Sequence, residues 1–279
     1  MSIFISLALM LAAFQVSGQN GSPPSAGAKG LSMGNAAVNF HDINSIFSNQ
    51  AGLAFLDNWS AMIHAESRFL LPEIKMINAG FAYPTSFGTF GLSVSYFGFD
   101  LYNEQKIGIS YARKLFDDVA IGVQFDYLGT SIAEYGNSGR FTFEGGVQAR
   151  LMEMFLVGAH VYSPIRVSLT ENENLPTEFT AGVTWEASDK FLIAVEIEKD
   201  IDFPASFHGG LEYLILDKLA LRAGVSTQPV QNTFGIGLFL GNLVIDIGSA
   251  YHQELGFTPS VSIAFQQKKK SSGNAEEPY

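Results

Sequence analysis

The sequence contains no cysteine, and charged residues make up only 15% of its 279 positions. The absence of cysteine excludes disulfide bonds, thiolate catalysis, zinc ribbons and lipid attachment to an N-terminal cysteine. Basic residues are also scarce, since 16 Lys and Arg stand against 27 Asp and Glu, for a formal net charge of −11. Because nucleic-acid binding depends on clustered positive charge, we expect no nucleic-acid partner.

Long apolar runs are missing after residue 20, because glycine or a polar residue interrupts each later stretch within about ten positions. At the N terminus, however, an uncharged apolar run extends from Ile3 to Phe14. This run is too short to span a bilayer. With small residues at Val16 and Gly18, it predicts a secretory signal peptide over residues 1–18. A buried N-terminal helix is the alternative interpretation.

The residues that are abundant favour β-structure. Hydrophobic residues make up 47% of the chain, and its 24 Phe, 10 Tyr and 2 Trp favour strands over helical bundles. The apolar residues recur with period two. In the segment 140–150, for example, Phe141, Phe143 and Val147 fall on one face while Glu144 falls on the other.

This alternation divides the chain after residue 58 into about fourteen segments of about eight to eleven residues, the length that a tilted strand needs to cross a membrane. An even number of strands lets an antiparallel sheet close with both ends on one side. We therefore predict an all-β fold, a transmembrane antiparallel β-barrel over residues 59–265. The predicted strands begin near residues 59, 74, 88, 104, 118, 140, 154, 176, 190, 205, 218, 232, 242 and 257.

The connections between the predicted strands alternate in length. Tight links, such as Lys114–Asp117 and the link around Gly241, alternate with longer ones such as 129–139, 163–175 and 226–231. Short turns at one rim and long loops at the other are typical of outer-membrane barrels with periplasmic termini. A two-layer β-sandwich also gives one apolar face per strand. The number of strands, their polar second face and the aromatic residues near their ends favour the barrel.

Residues 19–58 lack the strand period and are rich in Gly, Ala, Ser and Asn. They predict a compact irregular segment with one helical turn from Asp42, as the N-cap, to Phe47. Because a barrel lumen that is not filled becomes a water channel, we expect residues 19–58 to form an N-terminal plug, or hatch. Residues 266–279, which include Lys268–Lys270, are predicted to form a disordered periplasmic tail.

Two short motifs in the N-terminal segment resemble the FadL-like outer-membrane superfamily. Gly27 to Ala36 reads Gly-Ala-x-Gly-Leu-x-Met-Gly-x-Ala, and residues 45–54 read Ser-Ile-Phe-Ser-Asn-Gln-Ala-Gly-Leu-Ala. This superfamily includes long-chain fatty-acid transporters and the PorV/PorQ proteins of type IX secretion, and the resemblance implies a fourteen-stranded barrel with an N-terminal hatch. The transporters carry Asn-Pro-Ala-Gly and are much longer chains, whereas this chain has Asn49-Gln50-Ala51-Gly52. Both differences favour the PorV/PorQ branch.

Two sets of residues are candidates for functional roles inside the barrel. The signs of the inward charges are mixed, whereas a selective pore concentrates one sign at its constriction. Mixed signs therefore favour an ion-paired interior packed against a plug. The plug motif residues are Gly27, Gly30, Met33, Gly34, Asn49, Ala51 and Gly52, and the polar lumen candidates are Glu66, Arg68, Asp126, Glu144, Arg150, Glu196, Glu212, Arg222 and Asp246.

Motifs for catalysis, cofactors or metals are weak. The glycines of 235–241 imitate a dinucleotide-binding loop, but they lie in an alternating strand and lack the third glycine at the proper spacing. His208 with Glu212 is a candidate pair for a barrel hydrolase, yet no nucleophile elbow accompanies it. His64 and Glu66 lack a third metal ligand. We therefore predict no catalytic, cofactor or metal site.

These observations lead to the hypothesis of a non-enzymatic barrel of PorV/PorQ type in the cell outer membrane, acting as an accessory or docking component in protein secretion or surface attachment. Its expected partners are outer-membrane lipid and a protein of a secretion or surface-anchoring machine. One alternative is a FadL-like channel for uptake of hydrophobic small molecules, and another is a barrel hydrolase. A channel is expected to contain an apolar pocket between hatch and wall, a hydrolase to bring Ser and His together, and a docking protein to do neither.

Overall fold

The computed structural model describes residues 21, 23–134, 136–165, 167–170 and 173–267. Within this part of the chain, fourteen strands form one closed antiparallel barrel, in which the first strand pairs with the last. The predicted signal peptide and the tail beyond residue 267 lie outside the described residues. The barrel strands are β1 Ser60–Ser67, β2 Lys75–Thr85, β3 Gly88–Phe99, β4 Tyr102–Phe116, β5 Val119–Ile132, β6 Gly136–Leu151, β7 Phe155–Tyr162, β10 Glu178–Ser188, β11 Phe191–Asp200, β12 Ser206–Leu216, β13 Leu219–Thr227, β14 Val230–Leu240, β15 Leu243–His252 and β16 Gly256–Gln266; a separate small hairpin consists of β8 Ser168–Thr170 and β9 Glu173–Asn174.

Closure of the sheet confirms the predicted barrel and rules out the sandwich. Each predicted strand start falls within about four residues of an observed one. Two predicted long loops are wrong, however, because residues 129–132 and 136–139 belong to β5 and β6, and Thr227 pairs with Val230. The alternation is weak in these segments because glycine and short polar side chains do not distinguish an apolar face from a polar one. The backbone pairing nevertheless continues, as Gly129 paired with Gly139 shows.

The two faces of the barrel wall differ as the period-two pattern predicts. On β5, the side chains of Val123 and Phe125 are 54% and 56% exposed, whereas Gln124 and Asp126 are buried. Aromatic side chains gather at the strand ends, where Trp59 stacks on Phe265 with ring centroids 4.7 Å apart. An apolar outer band with aromatic residues near its edge suits contact with lipid.

The two rims of the barrel differ in their connections. Strand β1 begins, and strand β16 ends, at the rim with short turns, such as 117–118, 189–190 and 241–242; we name it the turn rim. The opposite loop rim carries two long connections, 68–74 and 163–177. Its other links are shorter than predicted, so the alternation of loop lengths is weaker than the sequence indicated.

An N-terminal segment, residues 23–56, precedes the barrel and contacts its inner face. It contains helix α1, Gly27–Ser32, and the 3-10 helices Ile43–Phe47 and Gln50–Phe55. The predicted cap is confirmed, because the Asp42 side chain accepts a hydrogen bond from the Asn44 N–H. Helix α1 contacts β13 to β16 and β1, whereas Gln50–Phe55 contacts β3 to β6, on the other side of the barrel. Among the described helices, none has the length and apolar character that would let it cross a bilayer.

Candidate functional site

The backbone N–H groups of the N-terminal segment donate hydrogen bonds to side chains of the barrel wall. Ala28 N–H donates to Ser262 Oγ at 2.6 Å, Gly34 N–H to Thr233 Oγ1 at 2.9 Å, and Val38 N–H to Glu196 Oε2 at 2.8 Å. A buried irregular segment leaves many backbone groups without partners of its own, and these groups must be satisfied elsewhere. The inward polar residues of the wall supply those partners.

The backbone carbonyls of the same segment accept hydrogen bonds from the wall. Gln148 Nε2 donates to the Val38 carbonyl at 2.7 Å, and His208 Nδ1 donates to the Gly34 carbonyl at 2.7 Å. Near the start of the described chain, the buried hydroxyl of Tyr162 donates to the Gly21 carbonyl at 2.6 Å. The sequence did not single out Gln148 or Tyr162, although both are inward positions of the period-two pattern.

Small residues of the predicted motif allow close approach between segment and wall. Gly34 has φ +67° and lies against the backbone of β12 and β13, where a Cβ would be 2.7 Å from the Gly209 carbonyl oxygen. Met33 lies against Gly210, where a Cβ would be 2.7 Å from the Met33 Cβ. The motif residues Gly27, Gly30, Met33, Gly34, Asn49, Ala51 and Gly52 all lie in the N-terminal segment, and Met33, Asn49 and Ala51 are fully buried.

The two charges of the segment pair with each other, since Lys29 Nζ lies 2.6 Å from Asp42 Oδ2. The ion pair of each charge is therefore formed within the segment and not with the wall. Although burial opposes the shift, the Asp42 carboxylate and then Glu212 raise the pKa of Lys29 above its ordinary value. Burial likewise opposes the lowering of the Asp42 pKa, which the Lys29 ammonium and hydrogen bonds from Asn44 bring about.

His41 lies at the turn-rim end of the segment and stacks on Phe55, with ring centroids 4.0 Å apart. Burial, and then the nearby positive charge of Arg150, lower the pKa of His41 to about 4. The histidine is therefore neutral at pH 7 and packs as an aromatic side chain.

The wall contains a buried charge cluster centred on Glu144. Lys106 Nζ lies 2.7 Å from Glu144 Oε1 and 3.5 Å from Asp126 Oδ2, and His160 Nε2 lies 3.1 Å from Glu144 Oε2. Asp126 and Glu144 were among the predicted lumen residues, but Lys106 was not. Lys106 lies four residues before the buried Ser110 on β4, so the period-two pattern places both side chains on the inner face and could have predicted the position of Lys106.

A second wall cluster joins three predicted residues. The Arg222 guanidinium is buried between Glu212 Oε2, 2.5 Å from Nε, and Asp246 Oδ1, 2.6 Å from Nη1. Glu212, Arg222 and Asp246 therefore form an ion-paired group of mixed sign within the wall. Because Glu212 is held by Arg222, the His208–Glu212 pair considered for a hydrolase is not assembled.

The remaining predicted charges lie near the rims. Glu66 is buried and accepts hydrogen bonds from Arg68 Nε at 2.8 Å and from Ser25 Oγ at 3.0 Å. Arg68 follows β1 in a 3-10 helix of the loop rim and does not lie on a strand. Arg150 pairs with Glu186 at 2.7 Å at the turn rim. The described residues include no group of three or more His, Asp or Glu side chains that could hold a metal ion.

A cavity of about 300 Å³ lies between the N-terminal segment and the wall near the loop rim. This volume is at the lower end of the range for small-molecule sites. The lining is mixed: the segment contributes apolar groups such as Pro24, Ala37 and Val38, and the wall contributes polar ones such as Glu198 and His208. It is therefore not the apolar pocket that a channel for hydrophobic small molecules is expected to contain.

The comparisons with known proteins identify the fold. No protein-family model and no curated protein matches this sequence. The toluene transporter TodX of P. putida aligns over 89% of this chain and 100% of its own, with a TM-score of 0.72 and 12% identity. The toluene transporter TbuX of Ralstonia pickettii aligns over 87% and 98%, with a TM-score of 0.68 and 13% identity. A Pseudomonas aeruginosa FadL homologue aligns over 87% and 97%, with a TM-score of 0.63 and 12% identity.

These structural matches are transporters and not enzymes. At such low identity they establish the fold, which is the feature that the N-terminal motifs also indicated. The chain therefore has the closed fourteen-stranded barrel fold of the FadL-like outer-membrane transporters.

Proposed function

We propose that this protein is an outer-membrane channel for the uptake of small hydrophobic molecules, with residues 23–56 as its hatch. The observation that carries the proposal is the match to toluene transporters along 87% or more of this chain. The apolar outer face of the wall supports a position in lipid. The turn rim, where the barrel begins and ends, faces the periplasm in this proposal, and the loop rim faces the outside.

The position of the cavity supports a path through the barrel that begins at the loop rim. Residues of the 226–231 turn line it, so a molecule arriving from outside meets the cavity before it meets the bulk of the hatch. Passage beyond the cavity requires a local displacement of the hatch. The contacts that resist this displacement include apolar packing on the wall and hydrogen bonds between hatch backbone and wall side chains, which net about 0.5 to 1.5 kcal/mol each.

Uptake of radiolabelled toluene by intact cells tests this proposal. The host strain lacks hydrocarbon channels of its own, so its lipopolysaccharide layer limits entry. We expect the intact protein to raise the initial uptake rate several-fold above that of cells with an empty vector. Equal rates, with the folded protein present in the outer membrane, would contradict the channel.

Two neighbouring substitutions show whether toluene uses the cavity. Gln231→Trp places a large ring in the cavity and is expected to slow uptake, whereas Val230→Trp changes the adjacent, 58% exposed position and is expected to leave uptake unchanged. If the two variants transport toluene equally fast, the path does not pass through this cavity.

One observation favours a second candidate function, the docking of a protein. Residues 136–139, at the outer end of β6, pair with β5 on one side. The described pairing of β7 with β6 begins only at Glu144, so among the described residues these four have a strand partner on one side only. A free edge can accept a strand from another protein. None of the matched structures named above is a secretion component, so a PorV/PorQ role rests on the motifs and this edge.

A photo-reactive side chain placed at Ser138 tests the docking candidate in the native host. We expect it to form an adduct with a partner protein, and the same group at Ser86, in a turn of the opposite rim, to form none. Absence of an adduct at Ser138 would count against docking at this edge.

A further inference from the structure

Three glutamates of β10 and β11 line the cavity: Glu178, Glu196 and Glu198. Glu196 is only 6% exposed and accepts the Val38 N–H. The ion pairs formed among the described residues join no lysine or arginine to any of these three carboxylates. Arg68 also lines the cavity, but its guanidinium is already held by Glu66.

His208, also in the cavity lining, provides a second and independent observation. Its Nδ1–H is engaged by the Gly34 carbonyl, so in the neutral ring Nε2 is an acceptor. Nε2 is buried and has no hydrogen-bond partner among the described residues, and it lies 3.9 Å from Glu198 Oε2. The whole side chain is only 6% exposed. A buried acceptor without a donor is costly, so this site favours a ligand that donates hydrogen bonds.

We propose that this cavity is a subsite for the positively charged amino group of a small amphipathic molecule. An ammonium group carries three N–H donors and one positive charge. It would face the carboxylates and the free His208 Nε2, all of which accept hydrogen bonds. Glu196 is buried, whereas Glu178 and Glu198 are partly exposed. Burying the Glu196 carboxylate without a cation is unfavourable, and a bound ammonium would relieve that cost.

The opposite side of the cavity suits the apolar part of such a molecule. Pro23, Pro24, Ala37 and Val38 line it from the N-terminal segment. A volume of about 300 Å³ is about ten times the share that a water molecule occupies in the liquid, enough for a ring with a short amine arm. This inference rests on the proposed function, because it names the class of molecule that the channel admits best.

Calorimetric titration of the purified full-length protein in detergent tests the subsite with three matched probes. Phenethylamine, phenethyl alcohol and phenylpropionate share a phenyl ring and a short arm but end in a cation, a neutral group and an anion. We expect phenethylamine to bind at least about tenfold more tightly than phenethyl alcohol, and phenylpropionate to bind most weakly. Equal affinities, or a preference for phenylpropionate, would overturn the proposal.

Substitutions in the cavity locate the binding. Glu198→Gln is expected to weaken phenethylamine at least about tenfold and to leave phenethyl alcohol unchanged, and Glu178→Gln provides a second variant if the first does not fold. Glu254→Gln, at an exposed glutamate of the same rim, is the matched control. Unchanged phenethylamine affinity in both cavity variants would overturn the assignment. Methylammonium binding as tight as that of phenethylamine would overturn the amphipathic class.

The toluene uptake assay keeps the two proposals separable. If toluene enters but phenethylamine binds no better than phenethyl alcohol, the amine subsite is wrong and the channel stands. If phenethylamine binds selectively but neither compound enters faster than in vector cells, the channel is wrong and the subsite stands.

Discussion

Two adjacent glycines on β12 offer a matched test of how the N-terminal segment meets the wall. A Cβ on Gly210 would overlap the Met33 carbonyl group and lie 2.7 Å from the Met33 Cβ. Met33 is fully buried, and a backbone carbonyl cannot rotate away as a side chain can. On Gly209, which faces the other way, the nearest atom to an added Cβ is Val225 Cγ2 at 3.7 Å, an ordinary contact.

The expected effects of alanine at these two positions differ in sign or size. Gly210→Ala overpacks the contact with Met33 and is expected to lower the free energy of unfolding by about 1 to 3 kcal/mol. Gly209→Ala is expected to be neutral or to stabilise by up to about 1 kcal/mol, because alanine restricts the unfolded chain. The difference between the two changes in the free energy of unfolding therefore measures the contact of position 210 with Met33, because any general effect of alanine in this strand is common to both variants.

Urea unfolding in phospholipid vesicles, followed by the fluorescence of Trp59 and Trp185, gives the two free energies. Trypsin sensitivity adds a local readout, because Lys29 is the only lysine or arginine before Arg68 in the sequence. We expect Gly210→Ala to speed cleavage after Lys29 and Gly209→Ala to leave it unchanged. Equal effects, or a larger cost at Gly209, would refute the assignment of the inner face and the packing of the segment on it.

Three further predictions concern lipid contact, buried charge and pH. Val123→Arg at mid-strand is expected to destabilise the barrel in lipid by about 2 to 4 kcal/mol, and Leu216→Arg beside a turn by at most about 1, both measured by vesicle refolding; similar costs would contradict the assigned membrane depth. Arg222→Met removes the ion-pair partner of the buried Asp246 and the partly buried Glu212 and should cost about 3 to 5 kcal/mol in the same assay, and a neutral effect would show that both carboxylates are solvated. Because the pKa of His41 is about 4 in the folded protein against 6.5 ordinarily, stability should fall as pH is lowered from 6.5 toward 4, and His41→Phe should remove that part of the slope in a pH series of thermal unfolding.

The sequence predicts the wall better than the interior. The period-two pattern predicts where the strands lie and which side chains point outward, because all outward side chains lie on the same apolar outer face. Val123, which is exposed on that face, and Gln124, which is buried on the inner face, show the contrast. Pairing between charges does not follow, because it depends on how an irregular segment folds back on itself. Lys29 and Asp42 are thirteen residues apart and pair with each other, a contact that no periodicity marks.

The sequence also leaves the function more open than the fold. Gln50 in place of the transporters' proline and the short chain favour the PorV/PorQ branch, but the small residues of the motif indicate only close packing. Gly34 and Met33 allow the segment to approach β12 and β13, a requirement that any barrel with such a segment would share. Which molecule the cavity accepts depends on its lining, which combines residues from five or more separated stretches of chain.

Closure of the lumen by the N-terminal segment distinguishes a channel with a hatch from an open pore, and single-channel conductance in planar bilayers measures it directly. We expect the intact protein to show almost no ion conductance, because residues 23–56 contact strands on opposite sides of the barrel. A variant lacking residues 27–56 that retains the β-sheet spectrum of the folded barrel is expected to conduct ions. Strong conductance of the intact protein, or silence of the folded deletion variant, would contradict the hatch.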